Sequence, residues 1–384
     1  MVVDLPYGRR PIRLDLGARA ATVVSPPDMP APRAPVDRLL TEALDAPIAS
    51  PRLEARVRGG DRVTIVVSDA TRDEPRADLL RAVRARLPSV RLTIAIATGT
   101  HGRCGVSSLG IPPSLVDGAT IVDHDGHDPR DLVLAGTTPR GTPVRVHRCA
   151  LDADLVVATG CIRPHYFAGW GAGVKAVFPG LGAATEVRIN HRLKEAPGSR
   201  AGVVDGNPCR ADLEDAVPML APIFLLNVVA GPDLAFHDAV AGDVLAAFRA
   251  GAARATPWFS ASAPRASVVV ASDAMPVTAS LYQAAKIIAA VAPIVDDGGT
   301  IVLVAECTDG PGPLDIVNHG IYEIGLRPRL PASCAIALVS SLDRSVVAQT
   351  FASYAPSIDA ALAGSAGPLV VVPRASQLLL SRTA

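Results

Sequence analysis

Lysine is almost missing from this chain of 384 residues: three of its 37 basic side chains are lysines, Lys175, Lys194 and Lys286, and arginine supplies the rest. A lysine kept in such a background marks a place where a guanidinium cannot serve, since only the amine becomes a nucleophile by losing a proton. An excess of charge of one sign is missing too. The 37 Lys and Arg balance 37 Asp and Glu, so the chain offers no field for a polyanion, and no nucleic-acid partner is expected. No apolar stretch reaches the roughly 18 residues of a membrane span. The best candidate, Ile287 to Val295, is interrupted by Pro293 and followed by Asp296-Asp297. The opening Met1-Val-Val-Asp-Leu-Pro-Tyr lacks the basic and apolar regions of a secretory signal, so a soluble cytoplasmic protein without membrane contact is expected. Cys104, Cys149, Cys161, Cys209, Cys307 and Cys334 form no C-x-x-C pair, which points to reduced thiols and away from a disulfide framework or a zinc knot. The 32 Gly and 34 Pro are spread along the chain, with no low-complexity tract, so disorder is not expected.

What is present is an apolar, periodic sequence. With 49% hydrophobic residues the chain can bury a large core, and its length suits two domains of roughly 100 to 200 residues. Apolar β-branched runs at 63–67, 92–97 and 155–158 alternate with helical patterns such as 78–87, as in βα units on a parallel sheet. The runs are apolar throughout, as strands covered by helices on both faces must be. Further strands are predicted at 223–229, 267–271, 301–305, 335–339 and 369–372, and helices at 241–253 and 279–291. The Ala-, Pro- and Ser-rich stretch 250–265 reads as a domain boundary. The predicted fold class is α/β, with an N-terminal domain over 1–257 and a smaller C-terminal domain over 258–384, both on mostly parallel sheets.

The residues able to do chemistry gather in three segments, each following a predicted strand: Ser68-Asp69-Ala70-Thr71-Arg72, Thr98-Gly99-Thr100-His101, and Thr159-Gly160-Cys161-Ile162-Arg163-Pro164-His165. Ligands of open α/β sheets bind at the carboxyl ends of the strands, so the three loops are predicted to converge on one crevice. They bring an anion-pairing cation and two histidines able to exchange protons near neutral pH. The third loop runs on through Gly169, Gly171 and Gly173 to Lys175. Glycines at alternate positions allow close backbone approach and can aim amide N–H groups at a phosphate. The loop matches neither a P-loop nor a clean G-x-G-x-x-G.

The string Pro-His-Tyr-Phe-Ala-Gly-x-Gly-x-Gly-x-Lys-x-x-x-Pro-Gly at 164–180, followed by Asn190-His191, resembles the signature of the nickel-pincer lactate racemase family. Ser-Asp-x-Thr-Arg at 68–72, Ala-Thr-Gly-Thr-His at 97–101 and Leu-Tyr-Gln-x-x-Lys at 281–286 resemble its other blocks in the same order, and Asp4-Leu5-Pro6-Tyr7-Gly8 is similar to its start. The resemblance spans nearly the whole chain.

This resemblance implies a cofactor, the nickel-pincer nucleotide, a pyridinium mononucleotide whose thioamide and thiocarboxylate sulfurs hold nickel together with a ring carbon. Lys175 matches the lysine to which it is covalently attached, and His191 matches the nickel's protein ligand. Gly169, Gly171, Gly173, Asp69, Thr98, Gly99 and Thr100 fall at the implied cofactor-binding positions. His101 and His165 match two general bases, one on each side of the substrate. Arg72, with Gln283, Lys286 and Tyr282 from the C-terminal domain, is implied to bind substrate, which places the active site in the cleft between the domains. The implied reaction is racemisation or epimerisation of a 2-hydroxy acid by reversible hydride transfer through a 2-keto acid. The implied partners are that small molecule and the enzymes that mature the cofactor.

Three positions depart from the family's lactate-specific members: Ala70 stands for a His, Val174 for an Arg, and Val277-Thr278 for Leu-Asp. A related 2-hydroxy acid with a different side chain is expected. Two other readings of the same α/β pattern are an NAD(P)-dependent 2-hydroxyacid dehydrogenase and a non-catalytic two-domain ligand-binding protein. His124 and His127, in Asp-His-Asp-Gly-His-Asp, lack a zinc spacing and read as an exposed acidic turn.

Overall fold

The computed structural model describes residues 1–365 and 367–383, and the βα alternation takes the form of two six-stranded sheets, one in each of two units. In the unit Met29–Pro257 the strands of the six-stranded sheet are β1 (Arg62–Ser68), β2 (Arg91–Ala97), β3 (Thr120–Asp123), β4 (Leu155–Ile162), β5 (Ile223–Ala230) and β6 (Phe236–Asp243). They lie in the order β6-β5-β4-β1-β2-β3, with every neighbouring pair parallel except β5 and β6. All eight residues of β5 are buried, which is why its sequence shows no polar alternation. Leu39, Leu40 and Leu44 of helix α1 (Val36–Asp45) and Leu79, Leu80 and Val83 of α2 (Arg76–Arg84) pack on Ile65, Val67, Ile94, Ile96 and Val157. Since β4, β1 and β2 are adjacent and parallel, the loops after residues 162, 68 and 97 emerge side by side at one edge.

The helix predicted at 241–253 is displaced. The chain is still strand to Asp243, and the helix, here called α5, runs Ala246–Phe259. The Asp243 carboxylate accepts from the amides of Leu245 and Ala246 and so turns strand into helix. The stretch 250–265 holds the division between the two units, at Pro257/Trp258, but it is ordered secondary structure, helical to Phe259 with a strand, Ser260–Ala263, beyond it. Its alanines are strong helix formers, and Pro257 sits near the helix end.

The other unit joins Met1–Asp28 to Trp258–Ala384, so the first 28 residues do not belong with the N-terminal domain as predicted. The physical reason is an apolar face of the C-terminal sheet that the N-terminal segment helps to cover, together with Ala355 and Ile358. This parallel sheet runs Ser353–Tyr354, Ala335–Val339, Val295–Val304, Ala266–Ser272, Leu369–Val372 and Ala21–Val23. Helix α6 (Leu281–Val291) packs on the side chains of Val269, Ala271, Ile301 and Leu303. The alternate residues Val268, Val270, Val302 and Val304 point the other way and meet Leu5, Leu14 and Leu16 of the N-terminal segment. Full burial of a leucine stabilises by about 2 kcal/mol. Ala21–Val23 also pairs with Leu369–Val372 and closes what would be an open sheet edge. Among the described residues no helix is long and apolar enough to cross a membrane.

Candidate active site

The first loop is built around two buried side chains, Asp69 and Arg76. Arg76 donates from Nε to the Ser68 carbonyl at 2.8 Å and from Nη2 to the carbonyls of Asp69 and Arg72, so one guanidinium braces the whole turn. Asp69 Oδ2 lies 2.7 Å from His101 Nδ1, and its Oδ1 accepts from the Thr71 amide and hydroxyl. Burial by itself would raise the Asp69 carboxyl, but the hydrogen bonds from His101 and Thr71 outweigh it and hold it below the usual carboxylate range. A carboxylate only accepts, so the hydrogen between the pair sits on His101 Nδ1, and Nε2 is the ring nitrogen not engaged by Asp69. Asp69, placed among the cofactor residues by resemblance, is thus engaged in orienting a histidine. Arg72 is exposed and makes no ion pair among the described residues.

The second loop is tied to the segment after Lys175. Gly99 donates to the Gly180 carbonyl at 2.8 Å, and the buried Thr98 hydroxyl donates to the His124 carbonyl at 2.9 Å. These two groups are committed within the protein, whereas Thr100 and His101 are exposed. Across from them, Arg163 of the third loop reaches Asp73 at 3.4 Å. All three loops are therefore joined to their neighbours as well as adjacent.

Phe167 is the centre of the third segment. Pro164–His165 pairs with Gly169–Trp170 as a tight hairpin whose turn carries this buried ring. His165 packs on it edge-on at 4.6 Å, His191 at 4.9 Å, and Lys175 Nζ lies 5.9 Å from its centroid. Three residues spread over 27 positions of sequence meet at one side chain. Burial pushes the Lys175 amine down to about 8, with the charges of Arg210 and Arg72 adding to the effect against an opposing contribution from Cys209. Lys175 has no carboxylate in ion-pair distance among the described residues. Burial, with help from Lys175 and Lys194, pushes the His191 imidazole down to about 3, so it is neutral. His165 Nδ1 accepts from the Ala168 amide at 3.2 Å, which places the proton of its neutral ring on Nε2. The two candidate bases are thus held in opposite tautomers.

The alternate glycines do not form the expected amide nest. Gly171 donates to the Arg163 carbonyl at 2.8 Å and Gly173 to Asn227 Oδ1 at 3.0 Å, so neither amide is available to a phosphate. Gly169 and Gly173 have φ of 76° and 68°, and a Cβ would come within 1.9 Å of the Val203 carbonyl oxygen or 2.7 Å of the Phe248 ring. Packing within the protein explains both. Gly171 has room for a Cβ.

Sequence reasoning did not single out the supports behind these residues. Asn190 and His191 lie in the last turn of α3 (Ala184–Arg192), against α4 (Pro208–Glu214). From α4 the fully buried Arg210 donates to the carbonyls of Ala168 and Trp170 and stacks on Phe248 at 4.2 Å, clamping the glycine segment. The only hint in the sequence was the adjacency of Asn190 to His191. In the other unit, Lys286 Nζ donates to Gln283 Oε1 at 2.6 Å on one face of α6, while Tyr282 is exposed. His127 is exposed as expected, but His124 is buried, its Nε2 bonded to the Gly182 carbonyl at 3.0 Å; it packs the fold and is no part of an exposed turn.

With the geometry in place, comparison with known proteins narrows the chemistry. Residues 7–202 match the family described as the lactate racemase N-terminal domain. A lactate racemase from Lactiplantibacillus plantarum is 30% identical over 323 residues, 81% of this chain and 76% of that protein. The chain belongs to the lactate racemase family. One from Thermoanaerobacterium thermosaccharolyticum is 29% identical over 321 residues, covering 81% and 75%. The apoprotein structure of a lactate racemase from the same organism superposes with a TM-score of 0.89 at 25% identity, covering 99% of this chain and 100% of that one. The family makes the protein an isomerase of the racemase kind, and the dehydrogenase and non-catalytic readings give way to it.

Proposed function

We propose that the protein inverts the configuration at the hydroxyl-bearing carbon of a 2-hydroxy acid with a nickel-pincer nucleotide tethered to Lys175. The convergence of Lys175, His165 and His191 on the Phe167 ring, beside the Asp69–His101 pair, carries this reading. Protein-only metal centres use three or four ligands. Among the described residues no group of three or more His, Cys, Asp or Glu can hold an ion. One neutral histidine beside a partly buried amine with no acidic partner does fit a cofactor that brings its own donors. When bound, that cofactor supplies a hydride acceptor and donor, which makes the planar 2-keto acid the half-way state of the substrate.

The chain's own side chains do the rest. Lys175 anchors the group through an amide-type bond that also removes a charge its surroundings disfavour. His191 offers a neutral ring nitrogen as ligand, and Thr100 lines the cofactor. Arg72, without an internal ion pair, takes the substrate carboxylate bidentately. Gln283, Lys286 and Tyr282 are proposed as further substrate contacts. His101 accepts the hydroxyl proton at Nε2 while Asp69 stabilises the cation formed. His165 is proposed as the group that exchanges the hydroxyl proton of the opposite enantiomer. Ala70 is small and exposed next to Asp69, which favours an acid with a larger side chain than lactate.

The test is co-expression with the enzymes that mature the cofactor, followed by a panel of enantiopure 2-hydroxy acids. Loss of optical rotation with at least one acid is expected. A nickel-loaded protein that inverts none of them would refute the proposal.

A further inference from the structure

The amide of Asn190 can face only one way. Its Nδ2 donates to Asp212 Oδ2 at 2.8 Å and toward the Cys209 carbonyl at 3.4 Å, both pure acceptors. Its Oδ1 faces two donors, the Cys209 thiol at 3.4 Å and His191 Nδ1 at 3.2 Å. A flipped amide would set its oxygen against a carboxylate and a carbonyl. Asp212 is itself immobilised: Thr142 donates to Oδ2 at 2.7 Å and Thr138 to Oδ1, and both Asn190 and Asp212 are wholly buried. Because Asn190 Oδ1 can only accept, the hydrogen between it and His191 sits on the imidazole. No other residue among those described bonds to His191 Nε2.

We propose that Asn190, clamped by Asp212, is a positioning residue that fixes His191 as its Nδ1–H tautomer and so keeps the Nε2 lone pair ready for the metal of the proposed cofactor. This rests on the reading of His191 as a ligand given above. An isolated imidazole favours the other tautomer, with the proton on Nε2, so a free side chain would have to exchange its proton before it could ligate. Groups behind a ligating histidine typically change metal affinity by about 10- to 100-fold. Three donors converging on a buried carboxylate, which in turn dictates one amide orientation, make an arrangement of this kind.

The decisive experiment uses the full-length apoprotein with 15N-labelled histidine, recording long-range 1H–15N correlations near pH 8 and assigning His191 by the peaks lost in His191→Gln. A pyrrole-type Nδ1 and a pyridine-type Nε2 are expected in the wild type, and Asn190→Ala should move the ring toward the Nε2–H form. A wild-type ring protonated on Nε2 overturns the inference, as does a tautomer unchanged in the variant. Separately, nickel release from matured protein into excess chelator, followed by metal analysis, should be at least about 10-fold faster in Asn190→Ala. Equal release rates overturn the functional part. If Asn190→Ala does not fold, the wild-type spectrum and Asp212→Asn, which removes the charge and keeps the shape, decide the question through the same tautomer signals. A wild type matured with cofactor but free of nickel would refute the ligand reading and leave the tautomer result standing, so the two failures are told apart.

Discussion

Replacing Lys175 by methionine should make the cofactor-free protein more stable. The amine ionises at about 8 where an unhindered one ionises at 10.5, chiefly because burial disfavours the charged form. At about 1.4 kcal/mol for each tenfold change in an ionisation constant, that is a cost of about 3 kcal/mol for the protonated lysine. Relaxation and water entry reduce it, and a gain of about 1 to 3 kcal/mol is expected for a methionine of similar length. The sign with pH follows from the folded-state value lying below the unfolded one. Below about pH 8 both states are protonated and the cost is complete; between about 8 and 10.5 the folded protein releases its proton first and the cost fades. The advantage of Lys175→Met should therefore be largest at pH 7 and fall to about half or less near pH 9.5. Melting of the two apoproteins by differential scanning fluorimetry reads it as a few degrees, at about 2 to 4 °C per kcal/mol for a domain of this size. A variant no more stable than wild type at pH 7, or an equal gain at both pH values, would refute the claim that the site strains its own lysine. Tethering removes the same charge, so cofactor loading should stabilise the wild type and leave the methionine variant unmoved.

Asp69→Asn should leave substrate KM nearly unchanged and lower kcat by about 10³, because an amide no longer fixes the His101 tautomer or stabilises its cation; chiral chromatography of the product mixture measures both. Arg72→Lys should mainly raise KM, by about 10-fold, since an ammonium cannot grip a carboxylate with two parallel bonds. Gly169→Ala should destabilise the protein by about 2 kcal/mol or more, through the clash with the Val203 carbonyl at positive φ, whereas Gly171→Ala should fold normally; thermal melts of both apoproteins compare them.

What the sequence made legible, and what it hid, divides along physical lines. Strands such as Ile223–Ala230 were readable because burial on both faces leaves a run that is apolar at every position but Asn227. Phe236–Asp243 was missed: it sits at the end of the sheet order, mixes polar and small residues, and pairs on one side only with Ile223–Ala230. The placement of the first 28 residues was hidden because their partners, from Val268 to Val371, lie far along the chain and leave no local signature. The loops after three adjacent parallel strands were readable, since chemistry-bearing residues recur directly after apolar runs. Arg76, Asn190 and Asp212 were not, because each acts through hydrogen bonds to residues that only the fold brings near. The glycines misled for a related reason: a spacing that lets a ligand approach also lets Val203 and Phe248 approach, and here the protein itself fills the space.

The central claim, that the partly buried amine at Lys175 holds the cofactor, is tested most directly by peptide mass spectrometry of protein matured in the presence of the cofactor-making enzymes. The account expects the peptide containing Lys175 to carry a nucleotide-sized added mass, nickel to be present in equal amount, and both to vanish in Lys175→Arg. An unmodified Lys175 in protein that racemises a 2-hydroxy acid would contradict it.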